Sequence, residues 1–163
     1  MKENPDKKIL TPVTYFKNLP DDIKSFIELS DDLIFQLDLS GKIKSINKNG
    51  ARLLDYKPAE LIDKYFFELF KPSFRNNVLN VFQQAINENE NENKIFEAGV
   101  LGKYKDEFSF KFRIKSITTD GEINGLIGIG KNHSVIRRLE EKITELSENL
   151  KETKRIINIE RSH

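Results

Sequence analysis

The sequence predicts an α+β protein: a five-stranded antiparallel sheet with short helices on one face, followed by a C-terminal coiled-coil helix. Three observations carry this. Two short alternating runs, 33–37 and 42–46, flank Asp38-Leu39-Ser40-Gly41, whose residue types favour a tight turn. Phe108, Phe110, Phe112 and Ile114 alternate with Ser109, Lys111, Arg113 and Lys115, a period of two that puts an aromatic face inward and a basic face in water. From Ile136 onward apolar residues recur at alternating spacings of three and four.

The remaining elements follow in chain order. Residues 1–19 are polar and punctuated by proline, and read as a flexible lead. Pro20-Asp21-Asp22 opens a helix, with proline and acids where a helix N-terminus favours them, and Ile23, Phe26 and Ile27 follow at helical spacing up to about Ser30. After the first hairpin, 49–54 is helical and Pro58 starts another short helix. The aromatic block Tyr65-Phe66-Phe67-Glu68-Leu69-Phe70 must be partly buried. Ser73 is placed to cap a longer helix carrying Phe74, Val78, Leu79, Phe82 and Ile86. The Asn/Glu run 87–93 buries nothing and reads as a connector. Strands follow at 94–101, 108–115 and 123–130, the last two joined through Thr119-Asp120-Gly121-Glu122. Strand pair, short helices, then three strands is an antiparallel sheet with helices on one side.

Bulk properties exclude several classes. The 163 residues suit one domain, over 20–134, with extensions. A net charge of +1 provides no field to draw nucleic acid or an acidic membrane, so no nucleic-acid partner is expected. With no cysteine there is no disulfide, no Cys-based zinc site and no thiol nucleophile, which fits a reducing cytoplasm. The charged N-terminus is no signal peptide, and the apolar run 123–130 is too short for a bilayer, which needs about 20 residues. A soluble, cytoplasmic protein without a membrane segment in this chain is expected.

The run Asp32-Leu33-Ile34-Phe35-Gln36-Leu37-Asp38-Leu39-Ser40-Gly41-Lys42-Ile43-Lys44-Ser45-Ile46-Asn47, continuing into Lys48-Asn49-Gly50-Ala51-Arg52-Leu53-Leu54-Asp55-Tyr56, resembles the opening of a PAS domain, a sensory module common in bacterial signalling proteins such as sensor histidine kinases. The resemblance extends over residues 26–138. It implies sensing, dimerisation and signal relay rather than catalysis, with an output domain or kinase as partner.

The heptads place Ile136, Ile143, Leu150 and Ile157 at the first core position, and Leu139, Leu146, Thr153 and Glu160 at the second. Mostly β-branched residues at the first and leucine at the second favour a parallel two-stranded coil, hence a homodimer over 135–163. Thr153 and Glu160 weaken its far end. The flanking Lys142, Ser147, Asn149 and Lys154 offer little charge complementarity, so specificity rests on the seam. A helix folded back on the sheet is the alternative, but a docked helix shows a wider apolar stripe than this. In many PAS proteins the junction before the exit helix reads Asp-x-Thr. Here Asn132 stands for the Asp and Ser134 for the Thr, which removes a charge but keeps hydrogen bonding. Either residue caps the helix, or the pair is a hinge that converts strand distortion into helix rotation.

Chemical sites are few. His133 and His163 are the only histidines and the segment 74–86 carries none, so a haem held by histidine is disfavoured. A cysteinyl-flavin photosensor and an attached bilin both need a cysteine. Phe35, Gln36, Phe67, Phe70, Phe82, Phe96, Phe110, Phe112 and Ile127 either line one cavity for a small apolar ligand or fill the core. Gln36, Asn47, Tyr65 and Arg113 are the polar groups that would orient a ligand, although Asn47 better suits a structural cap. No catalytic residues are assigned: Gly125, Gly128 and Gly130 do not form a phosphate loop, and His133-Ser134 are merely sequential. Ser162-His163 falls where a kinase phosphoacceptor helix could begin, but the residues around it match such a motif poorly. Two further readings stay open: a ligand-free scaffold for protein–protein contact, and a regulatory fragment of a histidine kinase or cyclic-dinucleotide enzyme.

Overall fold

The computed structural model describes residues 15–87 and 92–162. The Asn/Glu connector, the first fourteen residues of the lead and His163 lie wholly or partly outside the described residues. Five strands, β1 (Leu33–Asp38), β2 (Ile43–Ile46), β3 (Lys94–Leu101), β4 (Glu107–Thr119) and β5 (Glu122–Asn132), form one sheet in the order β2-β1-β5-β4-β3. Every neighbouring pair is antiparallel. The helices are α1 (Asp21–Leu29), α2 (Lys48–Leu53), α3 (Pro58–Leu61), α4 (Pro72–Asn87) and α5 (Ser134–Arg161), with 3-10 turns at Phe16–Asn18 and Phe66–Leu69.

The first hairpin closes on the Asp38 carboxylate. Its Oδ1 accepts from the Ser40 N–H (2.9 Å), the Ser40 hydroxyl (2.6 Å) and the Lys42 N–H (3.0 Å), while Gly41 takes φ +87°. The second turn puts Asp120 and Gly121 at φ +53° and +81°, the left-handed pair that matches strand twist in a two-residue hairpin. Both turns sit where the sequence predicts them, because turn chemistry is local.

One face of the sheet carries the core. Leu33, Phe35, Leu37, Phe96, Phe110, Phe112, Ile114 and Leu126 point to it and are buried, and α2 to α4 and the Phe66 turn cover them. The other face carries Lys111, Arg113, Lys115 and Lys131 with Ile95, Ile127 and Ile129. Two sequence expectations are corrected. Helix α4 starts at Pro72, so Ser73 lies inside its first turn and does not cap it. Residues 15–19, assigned to the flexible lead, include a 3-10 turn anchored on β2 by a bond from the Phe16 N–H to Ser45 Oγ (3.2 Å).

Candidate functional site

The interior between sheet and helices is a set of touching rings. Phe35 stacks on Phe66 with centroids 4.3 Å apart. Phe112 has Phe35, Phe66, Phe70, Phe96 and Phe110 around it at 5.1–6.2 Å. These separations are those of direct aromatic packing. Among the predicted pocket residues, Phe35, Phe70, Phe96, Phe110 and Phe112 meet in this cluster, and the half-buried Phe67 and Phe82 pack against its edge.

Three predicted residues point elsewhere. Ile127 is 38% exposed and lies across from Gln36, on the face opposite the neighbouring Phe35. Its place as a pocket residue is therefore corrected, and Gln36 shares its face. Arg113 pairs across β4–β5 with Ile129 and is exposed on that same outer face, so it cannot orient a ligand among the rings. Tyr65 sits at the rim, its ring stacked on Phe67 and under the Lys42 ammonium, 5.5 Å from the centroid. The sequence reading missed Phe66. In the unbroken block 65–70 no periodicity marks which ring turns inward, and the 3-10 geometry decides it.

Asn47 is fully buried and stands at the N-cap position of α2, but its side chain does not cap that helix. Oδ1 accepts from the Ile34 N–H (2.9 Å), and Nδ2 donates to the Asp32 carbonyl (2.9 Å) and the Ile27 carbonyl (3.2 Å). One amide thereby ties α1, the start of β1 and the end of β2 together. Gly50 makes room for it: a Cβ there would fall 2.7 Å from Leu33 Cα as well as on the Asn47 amide oxygen.

At the junction, His133 is the N-cap of α5 without a side-chain bond to the helix. Asn132 Oδ1 accepts from the Ser134 N–H at 3.0 Å, so Asn132 supplies the cap one position early. Ser134 Oγ accepts from the Ser109 N–H (2.8 Å), and the Ser109 carbonyl accepts from the His133 N–H (2.6 Å). Arg137 Nη1 donates to Ser109 Oγ (3.3 Å). Ser109 on β4 is thus the fixed point of the junction. It appears in the sequence only as one polar member of an alternating strand, and the β4–β5 register alone reveals its role. Beside it is a notch of about 390 Å³, where Lys71 pairs with Glu107 at 2.7 Å.

Helix α5 leaves the domain here and touches the sheet through β4 at its first turn. At 28 residues it is about 42 Å long. None of its residues is buried, and the seam residues Ile136, Leu139, Ile143, Leu146, Leu150 and Ile157 are 41–63% exposed. Thr153 returns its hydroxyl to the Asn149 carbonyl (2.9 Å). The helix is not folded back on the sheet.

Sheet order, helical layer and exit helix define a fold used by sensory and signalling modules. The family model for the PAS fold matches residues 21–132, and the chain belongs to the PAS family. No curated protein matches it. Among solved structures, it is similar to a PAS domain from Colwellia psychrerythraea (18% identity, TM-score 0.63, covering 69% of this chain and 95% of that one). It is also similar to a sensory box histidine kinase/response regulator from Burkholderia thailandensis (16%, TM-score 0.62, covering 81% and 99%). The N-terminal domain of a diguanylate cyclase with PAS/PAC sensor from Marinobacter aquaeolei is a third (14%, TM-score 0.57, covering 65% and 98%). At these identities the likeness shows the fold alone. Among the described residues, no helix is long and apolar enough to cross a membrane.

Proposed function

We propose that this chain is a regulatory PAS module of cytoplasmic signal transduction, with a domain over 20–134 and a signalling helix over 135–163. It works as a parallel homodimer through α5, and passes a ligand- or partner-induced change from the sheet, through Asn132 and Ser134, to an attached or partner output domain such as a kinase. The observation that carries this reading is the pairing of an unburied apolar seam on α5 with a first turn bonded to β4. A long helix takes most of its stability from packing its apolar face, and here the domain does not supply that packing. A second copy of the seam does, at a/d spacing. The relay needs only a few kcal/mol of differential binding between two states.

The test is the mass in solution of the Leu139→Asp/Leu146→Asp variant by light scattering. A dimeric parent and a monomeric, folded variant are expected, and a variant that stays dimeric removes the coil assignment. The alternative, a ligand-free interaction scaffold, is favoured by one observation: the rings from Phe35 to Phe112 lie at contact distance from one another. A small molecule retained in native mass spectrometry rejects that alternative, and bare dimers support it.

A further inference from the structure

Along β2, the edge strand of the sheet, lies a second concavity, a cleft of about 670 Å³. The Phe16 turn and α1 form one wall, β2 the floor, and Pro58 at the start of α3 with Ile62 and Asp63 after that helix the other wall. Its floor and sides are apolar, from Phe16, Ile27, Ile46, Pro58 and Ile62. Around them stand Lys17, Lys24, Lys44 and Lys48, against only two carboxylates, Glu28 and Asp63. Lys44 is committed to Asp63, and Lys24 stands 3.8 Å from Asp21. Glu28 Oε2 accepts from the Lys48 backbone N–H (3.1 Å), and among the described residues neither the Lys17 nor the Lys48 ammonium has a carboxylate within ion-pair distance. The volume suits a small organic molecule, and a mostly apolar lining with a few placed polar groups is the usual make-up of such a site.

We infer that this cleft binds a small amphipathic organic anion, its apolar body on Ile46 and Ile62 and its acidic group between Lys17 and Lys48. The charge excess selects the sign of the ligand, and the apolar floor supplies most of the affinity. The cleft is built on α1 and on Asn47's neighbours Ile46 and Lys48, so an occupied site bears on the element that Asn47 ties to β1.

The probe is 8-anilinonaphthalene-1-sulfonate, whose fluorescence is easily read in a protein without tryptophan. The control is N-phenyl-1-naphthylamine, the same body without the sulfonate. Saturable one-to-one binding to the full chain is expected, with amide NMR shifts concentrated at Phe16, Ser45, Ile46 and Ile62. The exposed pair Lys17→Glu/Lys48→Glu should weaken the sulfonate roughly tenfold and the neutral control less than about twofold. Thermal melts check that this variant is folded, and Lys17→Gln/Lys48→Gln should weaken binding in the same direction. No saturation, shifts centred on Phe35, Phe112 and Leu126, or equal weakening of both probes would each overturn the assignment.

Discussion

The Phe35 ring on β1 lies directly against Gly128, its cross-strand partner on β5. A Cβ on Gly128 would stand 2.8 Å from Phe35 Cε2 and 3.0 Å from Ile114 Cγ2. Gly130 repeats the arrangement one row along, where a Cβ would stand 2.6 Å from Phe112 Cε1. Both glycines take the inward positions of β5 between large residues, Ile114 and Phe35 in one row, Phe112 and Leu33 in the other. The rings fill the volume that side chains on β5 would otherwise occupy.

Gly128→Ala should therefore destabilise the domain. Overpacking costs about 1–3 kcal/mol, while the reduced freedom of the unfolded chain returns roughly 0.4–1 kcal/mol. Phe35 is stacked on Phe66, which opposes its moving aside. Urea denaturation should show the net loss, and Phe35→Leu combined with Gly128→Ala should lose less than the sum of the two single changes.

Asn47 makes an asymmetric prediction. Asn47→Ala leaves the Ile34 N–H without its acceptor and should cost about 2–3 kcal/mol at any pH. Asn47→Asp keeps that acceptor but sets a buried carboxylate against the Asp32 and Ile27 carbonyls. Its folded-state pKa is raised, so protonation favours the folded form, and the deficit should shrink as pH falls from 7 towards the ordinary carboxylate range. Denaturation midpoints measured across that range check it, and a pH-independent deficit for Asn47→Asp contradicts the bonding described for Nδ2.

Ser134→Ala removes the acceptor of the Ser109 N–H and should cost on the order of 1 kcal/mol. The more telling readout is hydrogen exchange. Protection should fall at Ser109 and through the first turn of α5, while the centre of β1 is unchanged. If Ser109 keeps its protection, the side chain of Ser134 is not what joins helix to strand.

Asp38 sets an acid limb. Burial pushes its carboxyl up, but the hydrogen bonds from the Ser40 hydroxyl and from the Lys42 and Ser40 N–H groups, with Lys44 nearby, outweigh this and hold it below its ordinary value. Such a group adds stability above its unfolded pKa, and that stability is lost as pH falls through the folded one. Asp38→Asn should be less stable at neutral pH, by at most about 1 kcal/mol given its partial exposure. The difference should shrink as pH falls through and below the ordinary carboxylate range, as followed by thermal melts.

The sequence by itself determined the local features. Alternation marked β4, Asp and Gly marked both hairpins, and the period of 3.5 marked α5, because each pattern arises from neighbours within a few residues. It could not settle β5. In Ile123-Asn124-Gly125-Leu126-Ile127-Gly128-Ile129-Gly130, apolar residues occupy both parities, and hydrophobicity alone places Ile127 inside. Pairing Gln36 with Ile127 and Phe35 with Gly128 puts the glycines against the rings and the isoleucines outside. The inward turn of Phe66, the three-way bonding of Asn47 and the anchoring of the exit helix on Ser109 were likewise decided only by tertiary structure. Each is a contact between segments 13 or more residues apart in the chain, and such contacts depend on strand register, which no short window of sequence contains.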